Sequence, residues 1–170
     1  LALSNLTLRY LKVLVVALSA AFGTSIFLGN LMDYHSNYQF VQHVLSMDTT
    51  FEGNALMWRA ITDPTAHTIA YIGIIIAEGL FSVFGWIATG NMLRNVKKDA
   101  KTFNNSKTFA YIAYMVAFCI WFFGFAIVGA EWFAMWQSQV WNGQQVAFNI
   151  TEVMIGFLIL VSLRDRELTE

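Results

Sequence analysis

Charged residues leave four long gaps along this 170-residue chain. Val13–Met32 is 20 residues without an acidic or basic side chain, and Thr108–Ala130 is 23. Thr68–Leu93 is broken only by Glu78, and Trp132–Leu163 only by Glu152, with its most apolar part after Val146. A hydrocarbon core of ~30 Å takes about 20 residues of helix to cross, so each gap is long enough to be a span. Lipid offers backbone groups no partner, which restricts spanning segments without strand patterning to helices. The pattern predicts an all-α fold, a four-helix transmembrane bundle forming one integral membrane domain over residues 1–170. Its spans fall at about 11–32, 66–93, 108–130 and 143–163.

The connections differ in character. Residues 33–67 make a 35-residue link, too long to be structureless in a compact bundle. Within it, 33–65 lies clear of the spans, and Phe40, Val41, Val44 and Leu45 recur at helical spacing. They predict a short helix lying on the bundle or the headgroups. Asn54–Thr62 suggests a second turn, and Asp63-Pro64 reads as an N-cap followed by the first helical residue. The 94–107 link is short and basic, whereas 131–145 is rich in tryptophan and amides.

Charge adds an orientation. Arg9, Lys12, Arg94, Lys97, Lys98, Lys101, Lys107, Arg164 and Arg166 all fall on one side of the predicted membrane, against Arg59 alone on the other. The positive-inside rule places both termini and 94–107 in the cytoplasm, with 33–65 and 131–145 outside. The first apolar stretch is read as a span rather than a cleaved leader. Charged residues are 12% of the chain, against roughly 25% in ordinary soluble domains, so a soluble fold is excluded. The basic residues gather on no binding face, so no nucleic-acid partner is expected. Cys119 is the single cysteine, which excludes an internal disulfide framework.

Three strings make the chain recognisable: Asn30-Leu-Met-Asp33 leading through Asn37 to Phe40-Val-Gln-His43-Val-Leu-Ser-Met47-Asp48-Thr49; Met57-Trp-Arg59-Ala-Ile-Thr62; and Glu131-Trp-Phe-Ala-Met-Trp136 running to Trp141-Asn-Gly-Gln144. In these the chain resembles a bacterial family of predicted small integral membrane proteins of unknown function. The resemblance implies four spans in a bacterial inner membrane and carries no active site with it.

Candidate chemistry lies on the outer side and within the spans. His35, His43 and His67 share the outer side with Asp33, Asp48 and Glu131, a donor set suited to a transition metal or, with paired histidines, haem. No pair has tight ligand spacing, so helix capping and loop hydrogen bonding account for the same residues. Trp132, Trp136 and Trp141, with Asn142 and Gln144, form either a membrane-boundary belt or a face for a partner or ligand.

Glu78 and Glu152 each fall near the middle of a span. Glu152 shares a helix face with Gln145, Asn149 and Gly156; Glu78 shares one with Ser82 and Gly85. A charge at that depth costs on the order of 3 kcal/mol or more, which favours placement in the bundle interior. Two readings stay open: a carboxyl hydrogen-bonded across helices to Asn149, Ser19 or Asn30, and a proton or cation path through both glutamates. No nucleophile elbow, metalloprotease motif or phosphate loop is present. The expected function is a non-catalytic accessory or stabilising subunit of a larger membrane complex, binding through its outer face and contacting the lipid bilayer and other membrane subunits. The alternatives are a metal or haem module of the outer-face histidines and carboxylates, and proton or cation conduction through Glu78 and Glu152.

Overall fold

The computed structural model describes residues 2–168. Helix α1 (Ala2–Met32) is followed by α2 (Tyr34–Ser46), a 3-10 turn (Met57–Arg59) and α3 (Pro64–Asn95). After α4 (Ala100–Asn105), α5 (Thr108–Ala117) continues as a π-helix, Phe118–Trp132; a second 3-10 turn (Met135–Gln137) leads to α6 (Gln144–Ser162). Four segments are long and apolar enough to cross a membrane: Ser4–Met32, Pro64–Asn95, Ala100–Trp132 and Gln144–Ser162. The all-helical, four-span architecture expected from the charge gaps is the one observed.

Local signals explain the boundaries. Asp63 caps α3 by accepting from the Thr65 amide at 3.1 Å, with Pro64 as first residue. Met47 ends α2 in the left-handed conformation, φ 54°. The 94–107 link contains α4, a turn of helix that apolar periodicity did not reveal. Asp99 caps it through the Thr102 amide and hydroxyl, and these bonds hold its carboxyl below the usual aspartate range.

Helices α1 and α3 make the closest contact. A Cβ on Gly85 would stand 2.8 Å from that of Ala20, so the two backbones meet through small residues. The Phe81 ring covers Gly23, and its other side meets Trp121 edge-on at 5.5 Å. Thr24 Oγ1 and Ser82 Oγ tie the pair at 2.6 Å. Only 22% of the most apolar window of α6 is buried, against 33–39% for the other spans. α6 is the outermost member of the bundle.

At the end where both termini lie, Arg9, Lys12 and Lys107 are fully buried. Lys12 and Lys107 share one carboxylate oxygen of Asp165, at 2.8 and 2.5 Å, and both donate to the Leu163 carbonyl. Arg9 donates to the Val96, Lys98 and Arg166 carbonyls and lies over the Phe103 ring. These bonds fasten the segment after α6 to α1, α4 and α5.

Candidate functional site

At the opposite end, the three strings fold into one layer. Gln137 Oε1 accepts from the Phe51 amide and the Asn54 side chain, at 3.1 and 3.2 Å. Thr49 and Ser138 join at 2.8 Å, and the Arg59 guanidinium lies over the Trp132 ring while donating to its carbonyl. Just before α6, Asn142 Oδ1 accepts from the Gln144 amide at 3.1 Å, and Gln144 bonds Glu131 at 3.2 Å. Trp132 and Trp136 are exposed, meeting Trp58 and Phe51 edge-on. Trp141 is half-buried, with the His43 ring stacked on it at 4.6 Å.

The histidines do not converge. His43 pairs with Asp48 at 2.8 Å, His35 bonds Gln39, and His67 is buried with Nε2 donating to the Ile61 carbonyl at 2.6 Å. Asp33 is exposed beyond α1, and Glu131 is engaged by Gln144. Among the described residues no group of three or more His, Cys, Asp or Glu is placed to hold a metal. The candidate metal set of His35, His43, His67, Asp33, Asp48 and Glu131 is thus not brought together among the described residues. Each histidine makes a local hydrogen bond, the other reading the sequence allowed, and the buried His67 Nδ1 is left without a partner.

The glutamates part company as well. Glu78 is 3% exposed, on the stripe of α3 that also buries Tyr71, Ile75, Ser82 and Gly85. Asn30 Nδ2 donates to its Oε2 at 2.7 Å, and the Tyr71 hydroxyl donates to Asn30 Oδ1 at 3.1 Å. Glu78 therefore makes one of the interhelical bonds that the sequence offered it, with Asn30. Tyr71, the next member of the relay, stands seven residues before Glu78, two helical turns along the same face.

Glu152, by contrast, is exposed on α6. So are Gln145, Asn149 and Gly156, while Ala147, Thr151, Met154 and Val161 form the buried face opposite them. Gln145 bonds Asn149 at 2.8 Å; Glu152 has no hydrogen-bond partner among the described residues. The expectation that both mid-span carboxylates face the interior is corrected for Glu152. Glu78 is buried and Glu152 is on the exposed face of α6.

Glu78 stands at the wall of a cavity of about 380 Å³ between α1, α2, α3, the π-helix and the start of α6. Tyr71, Trp121, Phe125 and Phe40 supply aromatic surface, and Asn142 and Val146, both exposed, stand at its rim. The π-helix contributes to this opening. Glycine suits its turn at Gly124, where a Cβ would press on the Cys119 carbonyl at 3.3 Å. A second, apolar cavity of about 330 Å³ lies on the other flank of α2, between α3 and the π-helix. The π-helix and the aromatic walls were not legible as site features, because α and π turns share one hydrophobic composition.

No curated protein and no solved structure matches the chain. A family model described as "predicted small integral membrane protein" (DUF2165) matches residues 8–164. That stretch holds all three strings and nearly the whole of the bundle, and the four apolar helices are what the description calls for. The chain belongs to this family of predicted small integral membrane proteins.

Proposed function

We propose that this chain is a non-catalytic accessory subunit of a larger bacterial inner-membrane assembly, docking through the outward face of α6 onto a transmembrane helix of another subunit. One observation carries the reading: Gln145, Asn149 and Glu152 are exposed on the side of α6 opposite its buried residues, with Asn149 also at the edge of a cavity shared with Leu18 and Phe22 of α1. At 1.5 Å per residue, Glu152 lies about 12 Å along the helix from Gln144, well inside a bilayer core. Bare exposure of such a carboxyl to lipid costs on the order of 3 kcal/mol or more, and a partner's hydrogen-bonding side chain at that depth offsets it. At Gly156 even an added Cβ would meet nothing within 4 Å, so a partner backbone can come close there. The loop layer is a weaker docking face, because its amides already bond one another. There Trp132 and Trp136 read as a boundary belt.

Photocrosslinking in native membranes tests this. A photoreactive residue at Asn149 is expected to give a discrete adduct with a different protein, lost on Glu152→Leu and kept on Glu152→Gln. The same residue at Ile76, exposed on α3, is the control. Equal adducts from both positions, none from Asn149, or an adduct of the chain with itself would each overturn the reading.

A further inference from the structure

We infer that the Glu78 cavity is a binding site for a small organic ammonium ion, a protonated amine with an apolar or aromatic body. The site is independent of the α6 face. Its volume, about 380 Å³, lies at the low end of small-molecule pockets and matches a ligand of modest size.

The chemistry follows from what surrounds the carboxyl. Oε2 is held by Asn30 Nδ2, which Tyr71 orients in turn through Asn30 Oδ1. Oε1 has no hydrogen-bond partner among the described residues, and no Lys, Arg or His among them pairs with Glu78. The group is nonetheless 97% covered, so it lacks both full hydration and a counter-charge. A ligand ammonium would provide the counter-charge and donate to Oε1 in a charge-assisted hydrogen bond. Trp121, Phe125, Tyr71 and Phe40 line the same space, and aromatic faces attract cations as well as apolar groups. A cavity meant only for a lipid tail needs no carboxyl. The neighbouring apolar cavity beside α2 meets that description, and this one does not.

Calorimetric titration of the full chain in nanodiscs, corrected against empty nanodiscs, tests the assignment with phenethylamine as its ammonium ion and 2-phenylethanol as a neutral probe of similar shape. The ammonium is expected to bind at least tenfold more tightly than the alcohol. Glu78→Gln, which preserves an acceptor and the Asn30 contact, should abolish that preference. Val146→Trp at the exposed rim should weaken both probes without disturbing the interior, and serves if Glu78→Gln does not fold. Equal affinity of the two probes, a preference for the alcohol, no binding of either, or binding indifferent to the variant that folds would overturn the proposal.

Discussion

Asp165 faces two ammonium groups at once. Lys12 and Lys107 both reach its Oδ2, and all three side chains are removed from water. Removing one partner of a buried ion pair commonly costs about 3–5 kcal/mol, because the other charge is left without compensation. Asp165→Asn is therefore expected to destabilise the protein by about 3 kcal/mol or more, given that two cations lose their carboxylate. Lys107→Met should cost less, since it leaves Lys12 and Asp165 as a matched pair; thermal unfolding in detergent measures both. If the two variants melt alike, the shared carboxylate is not what secures this end. In the sequence these lysines, with Arg9, carry information about orientation only. Their burial depends on the return of 163–168 over α1 and α4, a long-range meeting that no local pattern encodes.

Among the elements, the α1–α3 pair shows how small residues set helix separation. A methyl group at Gly85 would meet Ala20 at 2.8 Å with backbone directly behind it, whereas at Gly90 it would meet nothing within 4 Å. Gly85→Ala should destabilise by about 1–3 kcal/mol through overpacking. Gly90→Ala should be neutral or stabilising by up to about 1 kcal/mol, because alanine has the better helix propensity. Melting temperatures in one detergent decide this, and equal effects at the two positions would contradict the packing described. On α6 the polar spacing at 145, 149, 152 and 156 was legible, but not the direction it faces. Periodicity defines a stripe; which side of the helix its neighbours cover is settled by packing. The same limit hid the π-helix, whose identity depends on hydrogen-bond register rather than composition.

For the whole molecule, the distribution of basic residues predicts both termini inside and α2 outside. With Cys119→Ala as background, a cysteine at Ser36 should react with an impermeant thiol reagent in intact spheroplasts, and one at Asn105 should not. Both positions are exposed, so burial does not confuse the result. Labelling at 105 with protection at 36 would reverse the orientation and put the rim of the Glu78 cavity on the cytoplasmic side.

The sequence by itself determined the number of spans, the helical class, the α3 N-cap and the presence of a helix in the first long loop. Each follows from short-range physics: the length of a bilayer crossing, the need to satisfy backbone groups in lipid, and the chemistry of a helix end. Only the tertiary structure decided that Glu78 turns inward to Asn30 while Glu152 turns out, and that the three histidines stay apart. Both glutamates occupy similar local contexts, mid-span and beside small residues. What separates them is how much of each helix its neighbours cover, and α6, seated at the edge of the bundle, leaves its polar face open.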